Sequence, residues 1–124
     1  MGLDMYAYKV PKKFVKNDFI IDEEFFKSNE YEPNRDFYYW RKHYDLHRWF
    51  EGLYRQKGGT AVEFNVVPVQ VTLDDLDELE KAIKNNEIVN YFFPNDSEDF
   101  DLAFIEVARE AIEQGYAVYY DSWW

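Results

Sequence analysis

The stretch DFYYWRKHYDLHRWFEGLYRQK, residues 36–57, decides the fold because it is the longest segment with helical periodicity. Aromatic side chains recur at steps of three and four residues, from Phe37 through Trp40 to Tyr44, and a pair of glycines follows the stretch. One face of an α-helix repeats every 3.6 residues, and glycine often follows a helix end. The spacing therefore predicts an amphipathic helix over 36–57.

Two further helices are predicted downstream, over 72–84 and 97–114. The first begins with Thr72 and Asp75 at the spacing of a capping box, and the second is followed by Gly115. The apolar stripe of the third helix is predicted to comprise Phe100, Phe104, Val107, Ala108 and Ala111.

Strands are predicted near both ends of the chain, over 3–9 and 116–120, where apolar residues alternate with others or β-favouring residues cluster. The remaining predictions are an edge or bulged strand at 64–71, because of Pro68, a short strand at 89–93, and a long loop holding a short strand or helix at 11–35. Few strands and separate helices predict an α+β fold, a single domain over 1–124 with about three helices packed on a small sheet that includes the N- and C-terminal strands.

The composition of the 124 residues excludes several classes of site. There is no cysteine, which removes disulfides, thiolate metal sites and cysteine nucleophiles. No basic leader precedes an apolar run, and no apolar stretch is long enough to span a bilayer. We therefore expect a soluble, cytoplasmic protein that does not bind membranes.

The negative charge is concentrated in the second half of the chain. Residues 1–60 contain 11 Lys/Arg and 10 Asp/Glu, whereas residues 61–124 contain 3 and 15, and the whole chain has a net charge of −11. Such a field repels nucleic acid and attracts basic partners, so we expect no direct nucleic-acid binding. The residues predicted to contact a basic partner are Asp74, Asp75, Glu78, Asp96, Glu98, Asp99 and Asp101.

Both histidines fall in the 36–57 stretch, four residues apart, where two imidazoles of one helix could share a metal ion. The pattern is not HExxH, and apart from Glu51 no third ligand is evident for His43 and His47. We expect no metal and no stoichiometric zinc. A glycine-rich phosphate loop and a nucleophile elbow are also missing from the sequence, so we expect no catalytic residues and no cofactor.

The cations of the same stretch permit two interpretations. Arg41, Lys42 and Arg48, with the neighbouring aromatics, could bind a phosphate or stack on a base. A helix whose aromatic face is core, and whose cations pair with the acidic second half of the chain, explains the same residues more simply.

Four segments resemble a family of small phage and prophage proteins to which no activity is assigned. They are MGLDMYAYKV (1–10), YWRKHYDLHRWF (39–50), EFNVVPVQVTLDDLDELEKAI (63–83) and YYDSWW (119–124). The chain departs from the family in having Tyr44 where the family has Asn, and residues 11–35 do not match it. The resemblance implies a phage setting, and hence the cytoplasm of a host cell, without a mechanism. It directs attention to Asp4, Tyr6, Trp40, Arg41, His47 and Trp49.

We therefore expect a phage-type accessory protein that binds and inhibits or redirects a host nucleic-acid-binding protein through its acidic second half. Such a protein would act as a DNA mimic against host defence, in the manner of an anti-CRISPR. One alternative is a small-molecule or nucleotide-binding domain, enzymatic or not, whose ligand pocket comprises Asp4, Tyr6, Trp40, Arg41, His43, His47 and Trp49. The other is a structural or assembly protein, including a homodimer formed through aromatic surface.

Overall fold

Alternation along the first strand sets the two faces of the sheet. In a computed structural model, which describes residues 2–28, 37–90 and 97–124, Met5 and Ala7 are buried on one face and Tyr6 lies on the other. The strands are β1 (Asp4–Pro11), β2 (Tyr38–Arg41), β3 (Val69–Val71) and β4 (Tyr116–Trp123). They form one antiparallel sheet in the order β2-β1-β4-β3, with the N- and C-terminal strands at its centre.

The helices of the described residues are α1 (Glu24–Lys27), α2 (Tyr44–Gln56), α3 (Leu73–Lys84) and α4 (Ser97–Glu113), with a 3-10 turn at Lys12–Phe14. The predicted capping box is present at α3: the Thr72 side chain accepts from the Asp75 N–H at 3.3 Å, and the Asp75 carboxylate accepts from the Thr72 N–H at 2.8 Å. Gly115 follows α4 with φ of 98°. The α+β class, the two terminal strands and the helices at 72–84 and 97–114 are confirmed.

The predicted helix over 36–57 is wrong in its first part. Residues 38–41 form β2, in which Trp40 pairs with Met5 and is buried while Arg41 is exposed. Consecutive aromatic residues favour a strand when they can pack on a neighbouring strand. Lys42 then adopts φ of 57°, a conformation that does not continue a strand, and α2 begins at Tyr44.

Of the edge or bulged strand predicted at 64–71, only residues 69–71 form a strand, the short edge strand β3, and residues 64–68 do not. The backbone N–H and carbonyl of the central residue of β3, Gln70, point away from β4. The N–H donates to the Asp18 carbonyl, and the carbonyl accepts from Lys57 Nζ, both at 2.7 Å. The edge is therefore not open for pairing with another chain. The strand predicted at 89–93 is not formed at Val89 or Asn90, and its other residues lie outside the described part of the chain.

The main core lies between the sheet and α2, α3 and α4. At its centre the rings of Phe50 and Tyr120 stack with centroids 3.9 Å apart. A smaller cluster on the opposite face contains Val10 and Tyr119 and is covered by Phe25 of α1. The described part of the predicted 11–35 loop thus holds a 3-10 turn and a short helix. Among the described residues, no helix combines the length and the apolar content that crossing a membrane requires.

Candidate functional site

The buried side of α4 differs from the predicted stripe. Phe100 and Val107, expected in the core, are 44% and 37% exposed. The side chains that α4 buries are Asp101, Phe104, Ile105, Ala108 and Ala111. These five follow the three- and four-residue steps of one helix face, so a carboxylate occupies a core position.

Asp101, predicted to contact a partner, is 2% exposed and is therefore not part of an acidic surface. Its Oδ1 accepts from Trp40 Nε1 at 2.9 Å, and its Oδ2 lies 2.7 Å from Nε2 of His43, which is completely buried. A carboxylate can be buried when both oxygens are hydrogen-bonded. The correction follows from these two donors, which lie near the end of β2 and at the start of α2.

The Asp101 carboxylate also fixes the tautomer of His43. Because an ionised carboxylate can only accept, Nε2 carries a hydrogen, and Nδ1 is buried without a hydrogen-bond partner among the described residues. The group of Trp40, His43 and Asp101 ties the turn between β2 and α2 to the first turns of α4. We assign this group a structural role, the orientation of α4.

The opposite, exposed side of α4 carries a row of carboxylates, Asp99, Glu106, Glu110 and Glu113, which we call the acidic stripe. Their positions i, i+7, i+11 and i+14 lie within about 60° around a helix of 3.6 residues per turn, and they extend over about 21 Å. All four are exposed. The stripe exists because Asp101 and Ala108 direct the other side of the helix into the core.

The cations of the two neighbouring helices are engaged away from the acidic stripe. Arg109 of α4 reaches α3, where it donates to Asp77 at 2.7 Å and to Glu80 at 3.1 Å, and its hydrogen bond is the main reason that the pKa of Glu80 is lowered. Lys81 pairs with Glu78 at 3.3 Å, and Lys84 pairs with Glu80. Over residues 2–28, 37–90 and 97–124, the acidic stripe forms no ion pair.

The other predicted partner residues have different environments. Asp75 is occupied by the α3 cap and by Lys57, whose Nζ lies 2.7 Å from its carboxylate. Asp74, Asp75 and Glu78 do come together, along a groove of about 450 Å³ between α2 and α3. Glu98 and Asp99 are exposed, and Asp96 lies outside the described residues.

Sequence reasoning missed Glu106, Glu110 and Glu113. The signal was present, because these acids repeat at steps of four and three residues. Once Asp101 is placed in the core, the same periodicity assigns them, with Asp99, to the side of α4 that faces away from the core.

The seven residues of the alternative ligand pocket are not brought together. Asp4, Tyr6 and Arg41 lie on the face of the sheet opposite the main core, where Asp4 accepts from the Tyr39 hydroxyl at 2.5 Å. The remaining four are on the core side: Trp40 and His43 in the buried group, Trp49 half-buried against Phe50, and His47 beside Tyr120. The sheet separates the two sets, so they do not form one pocket.

His47 lines a small pocket of its own. Its Nδ1 lies 2.7 Å from the Tyr120 hydroxyl, and its ring packs beside Phe64 with centroids 5.1 Å apart. Burial, with a smaller contribution from Arg48, lowers the pKa of His47 to about 4, so the imidazole is neutral at pH 7. The residues that line the cavity, about 290 Å³ in volume, are Leu3, Tyr44, His47, Glu51 and Trp124.

The structure adds no evidence that His43 and His47 bind a metal ion. Among the described residues, no group of three or more His, Asp or Glu side chains is close enough to hold a metal ion. Nε2 of His43 and Nδ1 of His47 are each engaged in a hydrogen bond. Elemental analysis of the purified protein is the test of the prediction that it carries no zinc.

In comparisons with known proteins, no family model, no curated protein and no solved structure matches the chain. A proposal for the function therefore rests on the geometry of the site.

Proposed function

We propose that the protein binds a basic, nucleic-acid-binding host protein through the acidic stripe of α4, as a phage accessory protein that inhibits or redirects that host protein. The observation that carries the proposal is the row Asp99, Glu106, Glu110 and Glu113, exposed on one side of a helix and without ion pairs in the described part of the chain. No catalytic step is part of this function.

The physical basis is competition between carboxylates and phosphates. Arg and Lys side chains that line a nucleic-acid groove form charge-assisted hydrogen bonds with either group. Complementary charge also accelerates association and orients the two partners. A row of four carboxylates over about 21 Å could occupy such a groove and exclude the nucleic acid.

The helix that carries the stripe is held in place before binding. The hydrogen bonds of Asp101 fix its first turns, and Arg109 joins its second half to α3. A pre-organised surface loses less conformational entropy on association. Phe100 and Val107 are partly exposed on the flank of the stripe and could contribute apolar contact.

The stripe also contains unfavourable spacings within the free protein. Glu106 and Glu110 are four residues apart, and Glu110 and Glu113 are three apart, so their like charges repel by about 0.2–0.5 kcal/mol for each pair. A basic partner would relieve this repulsion. The free energy of the relief would add to that of binding.

The test is affinity capture from host-cell lysate, with mass spectrometry of the proteins retained. The wild type is compared with a stripe variant in which Asp99, Glu106, Glu110 and Glu113 are changed to Lys. The matched control reverses four exposed carboxylates outside α4 and has the same net charge: Glu23, Glu24, Glu63 and Glu87, each to Lys.

We expect the wild type and the control to retain the same nucleic-acid-binding protein, and the stripe variant to lose it. Equal retention by both variants would show that the stripe does not mediate binding. Equal loss would show that total charge, and not the arrangement on α4, is what matters.

A further inference from the structure

The cavity beside His47 has walls of distinct chemistry. Tyr44 and Trp124, residues that are 39% and 40% exposed, contribute aromatic rings, and Leu3 contributes an apolar surface. Glu51 contributes a carboxylate, and His47 an imidazole. At about 290 Å³, the cavity is at the lower end of the ~300–1,000 Å³ range of small-molecule sites.

Trp124 is held in place by the loop that precedes β3. The Asn65 side chain accepts from the Trp124 N–H at 3.0 Å and donates to the Trp124 backbone oxygen at 2.9 Å. The indole Nε1 donates to the Phe64 carbonyl at 2.9 Å. Three hydrogen bonds therefore fix both the backbone and the ring that forms one wall of the cavity.

The same loop contains a strained residue. Val66 has φ of 57°, which is rare for a β-branched side chain, and it donates its N–H to the Ser122 carbonyl at 2.8 Å. Strained backbone often occurs at binding sites, where the surrounding structure maintains it. Here it accompanies the contacts that place Trp124.

The polar atoms of the cavity favour a cation. His47 Nδ1 lies 2.7 Å from the Tyr120 hydroxyl. In the tautomer whose Nδ1–H donates to that hydroxyl, Nε2 is the acceptor that a cationic ligand can use. The Glu51 side chain is 40% exposed, and its carboxylate lies 3.7 Å from the guanidinium of Arg55, which also donates to the Gly59 and Val62 carbonyls. At 3.7 Å, that ion pair leaves the Glu51 oxygens free to accept hydrogen bonds.

We propose that this cavity binds a guanidinium group, with its plane against Tyr44 or Trp124 and its N–H groups on Glu51 and His47. Guanidinium is planar, stacks on aromatic rings and forms paired hydrogen bonds with a carboxylate. An anion would be repelled by Glu51. A quaternary ammonium group would contact the rings without using the hydrogen-bond acceptors.

The ligand chemistry has two sources, a free small molecule and an arginine side chain of a protein. The cavity is lined by three residues of α2, by Leu3 just before β1 and by Trp124, so the proposal does not depend on the acidic stripe of α4. The stripe variant described above should bind guanidinium as the wild type does, and a failure of either proposal leaves the other testable.

The experiment is a titration of the ¹⁵N-labelled full chain, followed by NMR at the Trp124 indole N–H and at the Tyr44 and Glu51 amides. The probes are ethylguanidinium, tetramethylammonium, free L-arginine and Nα-acetyl-L-arginine N-methylamide. We expect ethylguanidinium to bind with a dissociation constant on the order of 1–10 mM, as the efficiency of very small ligands suggests. Tetramethylammonium should bind at least about tenfold more weakly, which corresponds to the loss of the hydrogen bonds.

Glu51→Gln should weaken ethylguanidinium binding by about tenfold. The matched control, Glu87→Gln, changes an exposed carboxylate elsewhere and should have no effect. Tighter binding of capped arginine than of L-arginine would support the proposal with a protein as the source, and the reverse order would support it with a free small molecule. Three results would each overturn the proposal: equal binding of tetramethylammonium, unchanged binding by the Glu51→Gln variant, or no shifts with ethylguanidinium at about 50 mM. That concentration is roughly fivefold or more above the expected dissociation constant.

Discussion

Asp101→Asn is the substitution that best separates the buried carboxylate of α4 from the exposed ones. Asn has nearly the same shape, but it offers one oxygen and an NH₂ group where Asp101 offers two acceptors. If the oxygen accepts from Trp40, the NH₂ group faces Nε2 of His43. Nε2 of His43 can then accept only if the ring hydrogen is on Nδ1, where none of the described residues accepts it. In each arrangement one buried N–H is unsatisfied.

The expected cost follows from that count. A buried polar group left without a partner costs about 1–3 kcal/mol, and the remaining hydrogen bond loses its charge assistance, so the free energy of unfolding should fall by about 2–3 kcal/mol. For a domain of this size, that loss corresponds to a decrease in Tm of about 10 °C.

The assay is urea unfolding followed by circular dichroism, with Asp99→Asn as the matched control two residues away. Asp99 is exposed, so its substitution should change the free energy of unfolding by less than about 0.5 kcal/mol. The slope of the transition should be the same in all three proteins. Equal stability of Asp101→Asn and Asp99→Asn, with unchanged slopes, would refute the burial of Asp101.

Three further substitutions test other features of the structure. Because the pKa of His47 is lowered from 6.5 to about 4, its protonation favours the unfolded chain, and stability should fall as the pH falls from about 6.5 to about 4. His47→Gln should lose less stability over that range in urea unfolding, and an equal loss would contradict the shift. Burial raises the pKa of Asp121 from 3.8 to about 6, so its stabilising contribution at low pH is lost as the pH rises through this range. Asp121→Asn should therefore increase stability more at pH 7 than at pH 4, and the opposite order in thermal unfolding would be evidence against it. Val66→Asn should raise the free energy of unfolding by roughly 0.5–1 kcal/mol, since Asn tolerates a positive φ better than Val. A less stable variant would show that Val66 is not strained.

Local signals predicted the α3 region and the two central strands well. The capping box of Thr72 and Asp75 depends on residues three apart, and the alternation in β1 is complete within eight residues. Patterns of this kind lie within a few neighbouring residues, so they predict the helix or strand without knowledge of the rest of the fold. The tertiary structure then adds the pairing partner without changing the element.

The 36–57 stretch shows why other features could not be predicted. Phe37, Trp40 and Tyr44 fit a helical repeat, but Tyr38 and Trp40 also fit the two-residue repeat of a strand. The choice depends on β1, whose Met5 lies opposite Trp40 and is more than thirty residues away in sequence. Periodicity within one segment cannot include that pairing.

The candidate site was predictable in charge but not in position. The acidic second half is evident from composition, whereas the burial of Asp101 depends on donors from two residues near β2. The guanidinium cavity joins Leu3, Glu51 and Trp124, which are remote in sequence. Only the folded chain brings them together.

The most direct test of the proposed function is the dependence on salt of the dissociation constant for the captured host protein. We predict that log Kd for the wild type rises steadily between about 50 and 500 mM KCl, because exposed charges interact across a distance that salt shortens. At about 100 mM KCl the variant with Asp99, Glu106, Glu110 and Glu113 changed to Lys should bind at least about tenfold more weakly, and the charge-matched control within about threefold of the wild type. The nucleic acid normally bound by that host protein should compete with the wild-type chain. Salt-independent affinity, or equal dissociation constants for the two variants, would contradict binding through the acidic stripe.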